Sequence, residues 1–301
     1  MKWDNFKKLN LYIIISFVLI LAISVGCTKK QEKPKAPKVN EKTKALTAMD
    51  EKVDEIIKDI EKIQEEMKKP EKPKEEEEEK EEKGKEDEEK KNGEDMESMA
   101  EDEVEEVSNM EEGEGKKKEE KNKEDIITEE WEKTNSKIES LHSNWNSYEP
   151  MAMEDGVNAE DIEGFEKALN GLTIAGEKKN DIDSLMQANQ MTYYIGNFFS
   201  FYENKGESEM IKIKYHVRQS HLMGTVNSWD EAESNIKEAK PMVNILKQRL
   251  ELDKKGEETF KKLRTSIDDM EGVIKEKDAE LLKIKRDIVM QNLEKVKEAA
   301  K

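Results

Sequence analysis

The chain has 301 residues, of which 42% are charged, and its formal net charge is −19 at pH 7. A negative chain is repelled by nucleic acid and by anionic lipid headgroups, so the composition argues against both as partners. The 301 residues include one cysteine, Cys27, which excludes an internal disulfide and a thiolate metal site in the body of the chain.

The N-terminus has the parts of an export signal. Lys2, Lys7 and Lys8 make it positive, and Leu11 to Val25 is almost unbroken apolar sequence. About 15 apolar residues fall short of the ~20 that cross a bilayer as a permanent helix. A short apolar block behind a basic start is therefore predicted to direct export.

The four residues Ser24-Val25-Gly26-Cys27 resemble the lipobox that ends a bacterial lipoprotein signal peptide. Val25, Gly26 and Cys27 match that pattern, while Ser24 stands where leucine is usual. The resemblance covers residues 1–27 and implies that Cys27 becomes the lipid-modified (palmitate-bearing) first residue of the mature protein. Two or more acyl chains hold a protein to a membrane where one barely does. The chain is thus predicted to lie on the extracytoplasmic face of the cell membrane; the alternatives are an uncleaved anchor helix and an ordinary signal peptide.

An amphipathic helix is predicted for residues 44–69, after a charged, proline-bearing tether at residues 28–43. Apolar residues recur in the helix at alternating steps of three and four, as in a coiled coil. An isolated helix of this length is marginal in water, so the apolar stripe needs a partner. That partner is a second copy of the chain, another protein, or the C-terminal domain. The stripe consists of Leu46, Met49, Val53, Ile56, Ile60, Ile63 and Met67.

The next segment, residues 70–125, consists mostly of glutamate and lysine. Its low hydrophobicity and dense charge are typical of disorder. We predict an acidic spacer that holds the following domain off the membrane.

Residues 126–301 have the apolar content of a folded domain and are predicted to form an all-α bundle of about six helices. Pro150 is expected to end the first helix, and Pro241 to kink or break the fifth. Alternating apolar residues from Ile211 to Val217 fit a strand, but a lone strand is not stable, so a helix is preferred. The predicted helices are residues 127–149, 159–177, 180–204, 208–226, 229–254 and 257–299.

The last of these helices has the most regular pattern. Apolar residues recur every seven positions, which favours one long helix in a left-handed bundle, with Lys277 as a polar exception. The repeat consists of Phe260, Ile267, Ile274, Leu281 and Ile288, accompanied by Leu263, Met270 and Ile284.

Two stretches of the predicted bundle are similar to each other. Residues 131–148 align without gaps with residues 229–246, and Phe165 is echoed by Phe260. Either the domain is a tandem duplication, or the shared residues are core anchors that match by coincidence. The matches are Trp131 with Trp229, Ser136 with Ser234, Ile138 with Ile236, and Asn146 with Asn244.

Few residues suggest chemistry. Glu139 and His142 have the Glu-x-x-His spacing of di-iron bundles, but the motif occurs once where two are needed. Met151 and Met153 are weak candidates for a copper(I) site. The aromatic residues between positions 193 and 202 indicate either a buried central helix or an apolar cleft.

The sequence contains no phosphate-binding loop and no nucleophile elbow. It therefore predicts a lipoprotein that presents a helical binding module and is not an enzyme, with no catalytic residues and no cofactor. The alternative is a helical bundle that binds a metal or a small ligand.

Overall fold

The computed structural model describes residues 39–70, 122–202 and 205–300. Within these ranges the chain is all-helical, with eight helices and no strand, which confirms the predicted class. Cys27, most of the tether and most of the acidic segment lie outside the described residues. The helices are α1 (Val39–Lys68), α2 (Lys123–Glu154), α3 (Ala159–Glu177), α4 (Asp181–Phe199), α5 (Glu207–Thr225), α6 (Trp229–Arg249), α7 (Lys254–Ile274) and α8 (Ala279–Ala299).

Side-chain caps fix where most of these helices begin. An Asn or Asp side chain precedes five of them and accepts a hydrogen bond from a backbone N–H of the first turn. Short turns follow, so consecutive helices from α2 to α8 run antiparallel. The capping residues are Asn122, Asn158, Asn180, Asp253 and Asp278.

The eight helices form two rings of four. In the first ring α1 packs on α2 and α4, and α3 packs on the same two helices; in the second, α6 and α8 each pack on both α5 and α7. Each ring encloses its own apolar core, and α4 lies against α5 where the rings meet. We call the rings unit one (α1–α4) and unit two (α5–α8).

The apolar stripe of α1 is buried inside the same chain. Six of its residues, from Leu46 to Ile63, are 0% exposed, and they pack in the core of unit one. Burying an aliphatic side chain of this size contributes about 1.5–3 kcal/mol. The apolar stripe of α1 therefore packs against the C-terminal domain of the same chain, which is one of the three partners that the sequence allowed. Met67, the last residue of the stripe, is 43% exposed.

The alternating helix directions give the bundle two distinct ends. The near end contains the start of α1 and the α2–α3, α4–α5 and α6–α7 turns. The far end contains the end of α1 and the α3–α4, α5–α6 and α7–α8 turns. At 1.5 Å per residue, the 30 residues of α1 span about 45 Å between them.

The chain between α1 and α2 leaves and re-enters at the far end. The Lys123 ammonium donates hydrogen bonds to the carbonyl oxygens of Met67, at 2.8 Å, and Lys69, at 2.7 Å. Residues 71–121 therefore connect two neighbouring helices of one ring. Because α1, which precedes this acidic segment, packs in the core of unit one, the predicted spacer connects two helices of the folded domain.

The last predicted helix is in fact the hairpin of α7 and α8, so the described part of the predicted bundle has seven helices. The chain turns at Lys277, which has a left-handed φ of 52°, and Asp278 caps α8 by accepting from the Leu281 N–H at 2.9 Å. The seven-residue repeat holds in α7 but fails in α8, where Ile284 and Ile288 are 56% and 40% exposed. The buried residues of α8 are instead Leu282, Val289, Leu293 and Val296.

The two prolines interrupt the helices less than expected. α2 continues through Pro150 to Glu154, and α6 runs unbroken through Pro241. Pro150 removes one N–H from the hydrogen-bond ladder of α2, but only about one turn of helix follows it. The preference for a helix over a strand at Ile211–Val217 is confirmed by α5.

Candidate functional site

The four weak metal candidates do not come together. All of them lie on α2, and His142 is nine residues before Met151, which is about 13 Å along the helix axis. The His142 Nε2 atom lies 2.8 Å from the Thr173 hydroxyl oxygen, and Met153 is 60% exposed. Across residues 39–70, 122–202 and 205–300, no group of three or more His, Cys, Asp or Glu side chains could hold a metal ion.

The predicted aromatic cluster divides between the core and the surface. Phe198 is fully buried, and its ring lies 5.8 Å from Trp145, 5.7 Å from Tyr148 and 5.8 Å from Phe165 between centroids. These four rings lie in the core of unit one, so this part of the aromatic cluster belongs to a buried helix, as one of the two interpretations predicted. Phe201, in the turn after α4, is 46% exposed.

Three half-buried tyrosines form a patch on the α4–α5 surface. The Tyr193 ring lies 5.4 Å from Tyr194 and 5.1 Å from Tyr215 between centroids. Tyr194 lies over Gly164 of α3, where an added Cβ would come within 2.3 Å of the ring. The tyrosine rings of this patch therefore pack where α4 meets its neighbours α3 and α5.

The most unusual group of side chains is a row of charges between α1 and unit two, which we call the charged seam. Asp50 and Asp54 of α1 both accept from the Lys214 ammonium, at 2.6 and 2.9 Å. Asp54 also accepts from Arg218 at 2.8 Å. Lys214 and Arg218 are each 7% exposed, so these pairs are well removed from water.

The seam continues toward the far end through Arg286 of α8. Its guanidinium donates to Glu61 of α1 and to Asp287, and it lies 3.2 Å from the His221 Nδ1 atom. An arginine can only donate, so Nδ1 accepts and the His221 ring is neutral. Asp50, Asp54 and Glu61 follow one another at helical spacing, which places them on one face of α1.

The environment shifts the pKa values of the seam in different directions. Burial alone would raise the pKa of Asp54, but Arg218 and Lys214 outweigh it and hold that pKa well below its usual range. Burial outweighs Lys214 at Asp50 and raises the pKa of that carboxyl. Burial, with Arg286 beside the ring, lowers the pKa of His221 to about 3. These groups face one another rather than a cleft, so their chemistry is that of helix attachment.

A second buried polar cluster fixes the near end of α1. Lys42 donates to the Asp155 Oδ1 atom at 2.6 Å, and the Tyr202 hydroxyl donates to Oδ2 at 2.7 Å. The Tyr148 hydroxyl lies 3.3 Å from that of Tyr202, whose pKa burial raises to about 12. The cluster joins the start of α1 to the α2–α3 and α4–α5 turns.

One surface depression lies open between α3 and α4 and has a volume of about 470 Å³. Glu163, Glu166 and Lys167 line it together with half-buried Gln187. None of the residues that line the depression is buried, and none of them belongs to the charged seam, where the pKa values are shifted. The depression is therefore a weaker candidate for a functional site than the charged seam and the two ends of the bundle.

Comparison of the chain with protein-family models, curated proteins and solved structures found no match. In the described part of the chain, no helix is both long and apolar enough to cross a membrane. No relative therefore indicates a function, and the residues of the chain and their geometry are the basis for inferring one.

We expect Lys214→Met to lower the free energy of unfolding by about 3 kcal/mol, because it leaves the buried Asp50 carboxylate without its cation and removes one of the two cations of half-buried Asp54. Urea unfolding followed by circular dichroism measures this. The control is Lys237→Met, which removes an exposed pair with Glu233 and should leave the free energy of unfolding nearly unchanged. Equal losses in the two variants would show that the seam contributes nothing beyond surface pairing.

His221 should make the protein less stable in mild acid. Its pKa is about 3 in the folded state, against about 6.5 when unfolded, so below pH 6.5 the unfolded chain alone takes up this proton. Stability from this group is complete above pH 6.5 and declines by about 1.4 kcal/mol per pH unit as the pH falls toward 3. His221→Gln keeps an acceptor for Arg286 and should remove that share of the slope between pH 6 and 5. Parallel stability curves for the two proteins would contradict the assignment.

Proposed function

We propose that the chain is a lipoprotein of the extracytoplasmic face of the cell membrane, and that its bundle is a non-enzymatic module that binds another protein. The lipobox-like residues before Cys27 support the anchor. The position of α1 carries the proposal: α1 begins 12 residues after Cys27, and its apolar stripe is buried in unit one. An acyl anchor at Cys27 would therefore be attached directly to the folded module, with 11 residues between them.

The burial pattern supports a binding role over catalysis. The strongly shifted titratable groups, such as Asp54 and His221, pair with charges on neighbouring helices. Self-association through α1 would require the stripe to leave its core. The partner is therefore expected to contact the sides or the far end of the bundle.

We further propose that the two units arose by tandem duplication. The aligned segments lie in α2 and α6, the second helices of their units, and Phe165 and Phe260 are each the seventh residue of a third helix. Two of the paired positions are buried in both units: Ile138 and Ile236 are 2% and 0% exposed, and Phe165 and Phe260 are 0% and 5% exposed. Equivalent positions in equivalent helices support common descent more strongly than the sequence match alone. The binding module is then a repeated four-helix unit with two related surfaces.

Replacement of Cys27 tests the anchor. Cys27→Ser should move the protein from the membrane fraction to the soluble fraction and abolish incorporation of labelled palmitate, because the acyl chains supply the membrane affinity. The matched control is Ser24→Leu, which brings the four residues closer to the usual lipobox and should keep both properties. Mass spectrometry of the mature protein adds a direct check. Membrane retention of Cys27→Ser, or a mature chain that begins before Cys27, would contradict the proposal.

A further inference from the structure

The near end exposes two large apolar side chains beside the entry point of the chain. Met153 is 60% exposed at the end of α2, and Phe201 is 46% exposed in the turn after α4. Phe201 is the one aromatic residue in the described ranges that is exposed rather than buried or half-buried. Neither side chain contributes to an apolar core, so the stability of the fold does not explain why these two positions are apolar.

The second buried cluster holds these two side chains in place. Tyr202, next to Phe201, is 8% exposed and bonded to Asp155, which is two residues beyond Met153. Lys42, near the start of α1, bonds the same carboxylate. Phe201 and Met153 therefore lie beside residues that are hydrogen-bonded to the start of α1, the helix that follows the tether.

The tether keeps this end close to the bilayer if Cys27 is acylated. Eleven residues, 28–38, connect Cys27 with α1, and fully extended they reach at most about 40 Å. They contain five lysines and one glutamate, and lysines near an anionic membrane surface are attracted to it.

Charge is distributed along the bundle in a way that favours this orientation. The net charge of the whole chain predicts repulsion from anionic lipids, but residues 71–121, which leave and return at the far end, hold 25 acidic and 11 basic side chains. The near end itself carries both signs, for example Lys254 and Glu251. An anionic surface therefore attracts the tether and repels the acidic segment between α1 and α2.

We propose that the near end is a membrane-contact surface that rests on the anionic bilayer, with Phe201 and Met153 inserted at the level of the headgroups. Apolar side chains beside basic residues are the usual elements of such interfacial binding. Exposed apolar residues at the far end, such as Ile174, lack a tether that would bring them to lipid. The inference rests on the proposed lipid anchor at Cys27.

Site-specific fluorescence tests the contact. The mature protein, purified in detergent from the cells that produce it, is reconstituted into phosphatidylcholine vesicles that contain phosphatidylglycerol, and an environment-sensitive dye is attached to Phe201→Cys. The matched control is Ile174→Cys, an exposed apolar position that is 52% accessible near the far end. Lipids that carry a shallow quencher should reduce emission at position 201 by about twofold or more and leave position 174 unchanged.

The two proposals can fail separately in this experiment. Protein that floats with the vesicles but is quenched equally at both positions overturns the membrane contact and leaves the anchor intact. Protein that does not float with the vesicles overturns the anchor and the contact together. The same labels on Met153→Cys give an independent second position, which should behave like 201.

Discussion

The arrangement of the whole protein depends on the two buried faces of α1. Its apolar face, from Leu46 to Ile63, completes the core of unit one. The adjacent face carries Asp50, Asp54 and Glu61, which pair with cations of α5 and α8. The apolar face supplies most of the free energy, since desolvating charges offsets much of their attraction. The charged face instead fixes how unit two lies against unit one, because a displaced α1 would leave several buried charges unpaired.

This attachment determines what each end of the bundle presents. Because α1 starts at the near end and stops at the far end, the residues that follow Cys27 enter at one end and residues 71–121 leave at the other. The cluster of Lys42, Asp155 and Tyr202 stiffens the first of these ends. The anchor that we propose at Cys27 would thus join the near end, whereas the acidic segment connects helix ends that lie at the far end.

Helix class and most boundaries could be predicted, because caps and apolar spacing are local signals. The sequence showed that the stripe of α1 needs a partner, but an apolar stripe does not say which one. The seam was missed because 42% of the chain is charged, so Lys214 and Arg286 look like any surface cation until the fold buries them. The α7–α8 turn was missed because the repeat continues in register across Lys277, although Asp278 was a capping signal. The four metal candidates lie on one helix, with His142 and Met151 about two and a half turns apart, so the fold does not bring them together.

The most direct test of the central claim is to cut the chain between α1 and α2 and ask whether α1 stays bound. A protease recognition sequence is inserted after Gly93 of the mature protein, which carries a C-terminal affinity tag and is kept in mild detergent. After cleavage, we expect the resin to retain the N-terminal fragment, which contains α1, in an amount equal to the tagged C-terminal fragment. Urea should then release the N-terminal fragment. An N-terminal fragment that washes off under native conditions, while the remaining helices stay folded, would show that α1 is not an integral helix of the bundle.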